Sequence, residues 1–247
     1  MMKDNFSAQA ALYARFRPVY PRELIAHLAS LAPNRQSAWD CGTGNGQVAA
    51  MLAGHFDQVY ATDISEKQLS QAPAHPGIRY ALEPAEQCSA GDDAFDLIVV
   101  AQAVHWFNFD RFYAQVRRVL RPGGVLSVLG YSIFRTDSAA VDAVIHRFYT
   151  EVTGPYWDPE RRYLDEGYQT IPFPLEEIRM PDFVMQYRWT LPDVLGYLNT
   201  WSAVQHYIRI NGENPVALME AEFQQAWGGV GEREVIFPLL TRVGVKA

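Results

Sequence analysis

The sequence predicts an α/β fold: a doubly wound, mostly parallel sheet with helices on both faces. Three observations predict it. Short β-rich runs alternate with helix-like runs over roughly the first half of the 247-residue chain, the pattern of parallel strands joined by crossover helices. One run, Phe95-Asp96-Leu97-Ile98-Val99-Val100-Ala101, is short and almost continuously apolar, as a strand covered on both faces must be. A glycine-rich turn, Gly42-Thr43-Gly44-Asn45-Gly46, stands between an apolar run and the helix-like Gln47-Val48-Ala49-Ala50-Met51-Leu52-Ala53. Ligands of such sheets bind outside the carboxyl ends of the strands, at corners of this kind.

The elements follow in order. Residues 1–36 read as an N-terminal strap and a lid helix, with Leu24, Ile25, Leu28 and Leu31 at helical spacing behind Pro21. Residues 37–135 form the ligand-binding core. Its first strand leads into the glycine turn, and its second, Gln58 to Asp63, ends in an acid. Ser65 caps a short helix that Pro73, Pro76 and Gly77 interrupt. Ile78 to Ala81 is the third strand and Phe95 to Ala101 the fourth. Asp110 is expected to cap an amphipathic helix presenting Phe112, Tyr113, Val116, Val119 and Leu120. Arg121-Pro122-Gly123-Gly124 is a turn, and Val125 to Leu129 the fifth strand. Residues 136–247 carry the rest of the sheet and a helical, aromatic lobe. There, Ser138 to Tyr149 reads as a helix, Phe183 to Trp189 as a sixth strand, 192–208 and 215–227 as helices, and Glu234 to Val243 as a last strand beside the fifth.

Composition narrows the function. At 49% hydrophobic and 13% aromatic residues the chain is globular rather than disordered. A net charge of −7 offers no basic field to a nucleic acid. No run approaches the roughly 20 apolar residues that span a bilayer, and no apolar signal core opens the chain. Two cysteines make no disulfide framework and fit a reducing cytoplasm, the expected location. The six histidines show no metal spacing, so no metal is expected.

The glycine turn is chemically selective. A dinucleotide fingerprint would put its third glycine at position 47, which is Gln47, and a Walker loop would need a Lys that is absent. Asp40 lies two residues before the first glycine, a poor neighbour for a pyrophosphate and a good one for an ammonium group. Asp63 lies about 20 residues further on, where a carboxylate accepts the hydroxyls of a ribose.

Tyr13-Ala14-Arg15-Phe16-Arg17-Pro18, Asp40 to Gly46, Asp63, Ala85-Glu86, Gln102 to Phe107 and Arg121-Pro122-Gly123-Gly124 together resemble the class I S-adenosylmethionine (SAM)-dependent methyltransferases. The resemblance is to the methyltransferase-11 type that includes trans-aconitate methyltransferase-like enzymes. It covers residues 1 to about 130 well and the remainder loosely. It implies a seven-stranded Rossmann-like methyltransferase sheet and SAM as cofactor. Gly42, Thr43, Gly44 and Gly46 would lie against the methionine part, with Asp40 at its ammonium end. Asp63 would hold the ribose, and Ile64, Ala85 and Glu86 would border the adenine. Tyr13 and Arg17 would close over the cofactor's carboxylate, and Gln102 would border the reacting methyl.

On the acceptor side, His105 is the candidate general base, because its pKa lies near neutrality; the competing and more ordinary reading is a strand-end histidine that packs against Trp106 and hydrogen-bonds backbone. Trp106, Tyr156, Trp157 and Arg162 are the candidate substrate residues, with Arg162 or its neighbour Arg161 clamping an anion. Tyr168, Trp189 and Trp201 are further candidates for the wall of an acceptor pocket, while the aromatic stripe of the sixth strand, Trp189 included, also reads as core. The expected activity is methyl transfer to a small molecule at oxygen, including a carboxylate, by a monomer or homodimer. A NAD-dependent oxidoreductase and a non-catalytic SAM-binding protein are the alternatives.

Overall fold

The computed structural model describes residues 15–247. Tyr13 lies outside them. Seven strands form one sheet in the order β3-β2-β1-β4-β5-β10-β7. They are β1 (Ser37–Cys41), β2 (Gln58–Asp63), β3 (Ile78–Leu82), β4 (Phe95–Ala101), β5 (Leu120–Tyr131), β7 (Glu176–Glu177) and β10 (Leu239–Val245). Strands β3 to β5 run parallel, while β10 and β7 add antiparallel edges. The order reverses at β1, whose neighbours are β2 and β4. That switch point opens a crevice above the carboxyl end of β1, directly at the glycine turn.

Each central strand feeds two cores. In β4, Leu97 and Val99 face one cluster while Ile98 and Val100 face the other, and all four are fully buried. Helices α1 (Arg22–Leu31) and α2 (Gln47–Leu52) cover the first face. Helix α4 (Phe109–Val119) covers the second, burying Phe112, Tyr113, Val116 and Val119; the wholly apolar Phe112, Val116 and Val119 contribute about 1.5–3 kcal/mol each. The short α3 (Glu66–Leu69) starts at Ser65, whose hydroxyl accepts the Gln68 N–H. The cap of α4 is Asn108, which accepts the Arg111 N–H, rather than Asp110, which sits in the first turn. The expected turn at Arg121–Gly124 is a bulge inside β5. Leu120 pairs with Phe95 and Val125 with Leu97, and Gly123 takes a φ of +73°.

The C-terminal half departs from the expected single sheet. Met185–Trp189 (β8) does alternate as predicted, with Met185 buried and Gln186 and Arg188 exposed. It pairs instead with β9 (Arg233–Phe237) in a separate antiparallel sheet, order β6-β9-β8, with β6 at Arg135–Thr136. The last expected strand is two strands, β9 and β10, divided at Pro238, which has no N–H for a ladder. The remaining helices are α5 (Ala139–Arg147), α6 (Arg162–Asp165), α7 (Leu191–Leu198), α8 (Ser202–Asn211), α9 (Pro215–Leu218) and α10 (Glu220–Trp227). They enclose an aromatic core that includes Phe148, Tyr197, Trp201 and Phe223. Among the described residues no helix is long and apolar enough to cross a membrane.

Candidate functional site

The glycine turn is built by its own backbone. Gly42, Gly44 and Gly46 take φ values of +73°, +57° and +80°, a region closed to most side chains. A Cβ at Gly42 would lie 2.6 Å from Ala103 Cβ, so the turn can press against the residues after β4 only with hydrogen there. At Gly44 a Cβ would meet nothing within 4 Å. Asp63 fastens the turn: Oδ2 accepts the Gly44 N–H at 2.8 Å and Oδ1 the Ser65 N–H at 2.9 Å.

A cavity of about 450 Å³ opens beside this turn, lined by Arg17, Tyr20, Asp40, Gly42, Thr43, Gly44, Gln102 and Tyr131 among others. Asp40 is 1% exposed. The Thr43 hydroxyl donates to its Oδ2 at 2.5 Å, and Oδ1 has no hydrogen-bond partner among the described residues. Burial pushes its pKa from 3.8 up to about 7, against the pull of the Thr43 hydroxyl. A buried carboxylate oxygen without a partner, beside an open face of Gly44, suits the ammonium end of an amino-acid moiety.

The expected adenine neighbours flank the turn. Ile64 is 39% exposed, a large apolar side chain left in the open beside the second strand's end. Ala85 is buried, and Glu86 accepts the Asn108 N–H at 2.7 Å, tying this loop to the start of α4.

A second cavity, also about 450 Å³, shares Arg17 and Gln102 with the first. Its other walls include His105, Trp106, Trp157, Asp158, Arg161 and Trp201. Gln102 takes a left-handed φ of 55° and donates from Nε2 to the Tyr131 carbonyl at 3.0 Å. Such strain in a non-glycine residue persists where the surroundings enforce it, often at functional positions. Arg17 donates to the Tyr131 hydroxyl at 3.0 Å and lies 5.6 Å over the Tyr197 ring.

His105 is 5% exposed, with its Nδ1 3.1 Å from the Tyr168 hydroxyl and its ring 4.8 Å from Trp106. Burial, then the positive charges of Arg161 and Arg17, pull its pKa down from 6.5 to about 3. An imidazole held neutral this strongly is a weak base at neutral pH.

Of the predicted acceptor-side residues, Trp106 and Trp157 line the cavity. Tyr156 packs on α8 instead, its hydroxyl accepting from Asn211 and its ring 4.8 Å from Tyr207. Arg161 faces the cavity, while Arg162 is exposed and donates to the Tyr163 hydroxyl. Arg161 is held on three sides: Nε donates to the Tyr149 hydroxyl at 3.0 Å, Asp165 lies at 3.5 Å, and the guanidinium sits 4.7 Å over Trp157. Sequence reasoning named the arginine pair but had no signal for which member turns inward. It also missed Asp158, whose carboxylate lies 3.8 Å from His206 Nδ1. Trp201 joins the cavity wall, whereas Trp189 packs in the aromatic core against Phe134, Tyr197 and Phe237. Both cysteines are buried thiols without a disulfide. Among the described residues no group of three or more His, Cys, Asp or Glu side chains could hold a metal.

Comparison with known proteins agrees with this geometry. The methyltransferase-domain family model matches residues 39–128. A Dictyostelium discoideum protein named as a methyltransferase is 30% identical over 214 residues, covering 85% of this chain and 81% of that protein. A solved structure described as a type II methyltransferase, from Anaeromyxobacter dehalogenans, is 42% identical. It superposes with a TM-score of 0.85 over 93% of this chain and 98% of its own. Matched over about half its length is a Saccharomyces cerevisiae protein named as an S-adenosylmethionine-dependent methyltransferase. It is 28% identical over 136 residues, 51% of this chain and 47% of that protein.

Proposed function

The chain belongs to the class I SAM-dependent methyltransferases, and from that premise we propose that it methylates a carboxylate oxygen of a small acidic acceptor. The observation that carries this reading is the acceptor-side cavity, where two guanidinium groups, Arg17 and Arg161, stand beside a histidine held neutral. Guanidinium groups recognise carboxylates through a planar fork of donors. A phenol or an ammonium acceptor would need a base to remove its proton, and His105 is a poor one. A carboxylate is already ionised at neutral pH and needs none.

The cavity beside Asp40 suits the methionine part of the cofactor, with Asp40 and the Gly42–Gly44 backbone as its proposed holders. Asp63 is the proposed ribose partner, with Ile64, Ala85 and Glu86 around the base. When bound, SAM supplies a methyl group on a sulfonium, electrophilic enough for an ionised oxygen to attack without further activation. What remains for the protein is alignment and exclusion of water. Arg17 and Gln102 border both cavities, so they stand where donor and acceptor would meet. Trp106, Trp157 and Trp201 supply apolar walls that keep the acceptor side dry. A small-molecule acceptor and a cytoplasmic location belong to the same proposal, supported by the tryptophan-walled cavity and the two unpaired cysteines.

The test is methyl transfer from isotopically labelled SAM to separate panels of carboxylic acids, phenols and amines. Transfer to acids is expected, giving base-labile methyl esters. Arg161→Leu should lower this turnover at least tenfold while leaving affinity for the demethylated cofactor unchanged, and Arg162→Leu should change neither. Transfer confined to phenols or amines would sink the reading.

A further inference from the structure

Behind the acceptor cavity lies a residue whose conformation is enforced from several sides. Tyr168 is fully buried and takes a left-handed φ of 60°, unusual for an aromatic side chain. Its N–H donates to the Tyr163 carbonyl at 2.7 Å, and its own carbonyl accepts from Arg242 at 3.1 Å. Its ring lies where a Cβ at Gly130 would come within 2.6 Å, so the bare backbone of β5 makes room for it. All of this delivers one hydroxyl to His105 Nδ1 at 3.1 Å, with the two rings 29° from parallel. Trp106 flanks the imidazole at 47°, with the ring centroids 4.8 Å apart.

The hydrogen bond has a preferred direction. A phenol is more acidic than a neutral imidazole N–H, and an imidazole nitrogen is the stronger acceptor, so the hydroxyl donates and Nδ1 accepts. An imidazole that accepts at Nδ1 carries its proton on Nε2. Nε2 hydrogen-bonds nothing among the described residues, and His105 lines the cavity. The charged groups around that cavity are Arg17 ahead of α1, Arg161 ahead of α6 and Asp158, with Asp158 close to His206. Both arginines oppose an imidazolium.

We propose that Tyr168 is a positioning residue that locks His105 as the neutral, Nε2-protonated imidazole, so that His105 donates to one oxygen of the acceptor carboxylate instead of removing a proton. This rests on the carboxylate reading above. With Arg161, the donor would hold the acceptor at one oxygen and orient the other for attack, a contribution of alignment rather than of proton transfer.

The test is nitrogen-15 NMR of histidine-labelled protein, with His105 assigned by its loss in His105→Gln. In the wild type, one nitrogen should read as protonated and the other as a hydrogen-bond acceptor, with Nε2 protonated and both unchanged from pH 5 to 8. Protonation at Nδ1, or titration within that range, overturns the proposal. In Tyr168→Phe the two ring-nitrogen shifts should converge as the tautomers mix; unchanged shifts remove Tyr168 from the role. Incorporating 3-fluorotyrosine makes the phenol a stronger donor at nearly constant volume, and should move the Nδ1 shift toward its protonated value even if the phenylalanine variant folds poorly. No movement there refutes the donor assignment. These readouts involve no acceptor, so a failed carboxylate reading would show only in the transfer panels.

Discussion

Asp40→Asn should make the protein more stable above pH 7 and impair the proposed cofactor site. Asp40 keeps its proton in the folded chain up to about pH 7, whereas its ordinary value is 3.8. Between those values the folded state holds one proton more than the unfolded state, so stability falls as pH rises, by about 1.4 kcal/mol per pH unit. The full penalty, about 4 kcal/mol, is present above pH 7 and vanishes below pH 3.8. Asparagine keeps the size and the oxygen that accepts from Thr43 but never ionises. At pH 8 it should therefore raise the melting temperature by roughly 10 °C, while near pH 4 the two proteins should melt together. Binding should run the other way. The ammonium of the cofactor favours ionised Asp40, so wild-type affinity should fall about tenfold for each pH unit below 7, and the variant should bind weakly with no such slope. Melting curves from pH 4 to 8, and calorimetric titration with S-adenosylhomocysteine (which carries the same ammonium) at pH 6, 7 and 8, measure both. A stability difference between the two proteins that does not change with pH would refute the reasoning.

Three further outcomes are expected. Gly42→Ala should lose about 3 kcal/mol, from a positive φ and a Cβ forced against Ala103. Gly44→Ala, with open space around its Cβ, should lose only about 1 kcal/mol yet weaken cofactor binding at least tenfold; urea midpoints and calorimetry separate the two. Arg121→Leu should cost about 3 kcal/mol, because it strips the guanidinium 2.7 Å from the fully buried Asp96 carboxylate and leaves it only the Gln36 and Ser37 backbone amides. Its urea midpoint should fall, while the folded fraction binds S-adenosylhomocysteine normally.

The glycine turn and the acids that flank it, the proposed cofactor half of the site, were legible because their backbone pattern is local in sequence. Positive φ favours glycine, and Asp40 and Asp63 stand at the carboxyl ends of two β-rich runs; both are read from neighbouring residues. Asn108 shows the limit even of local reading: several polar residues compete to cap α4, and packing selected the one two positions earlier than Asp110. The acceptor half was far less legible. Arg161 and Arg162 are indistinguishable by composition, and only the meeting of Tyr149, Trp157 and Asp165 turns the first inward.

Sequence alone determined the five parallel strands β1 to β5, the glycine turn after the first of them and the acid on each side of that turn, because strand periodicity and backbone sterics act over a few residues. Tertiary structure alone decided that β8 and β9 leave the main sheet, and that His105 meets Tyr168 from 63 positions away. Which edge a strand joins and which proton a histidine carries depend on partners distant in sequence, and those partners exist only once the chain has packed.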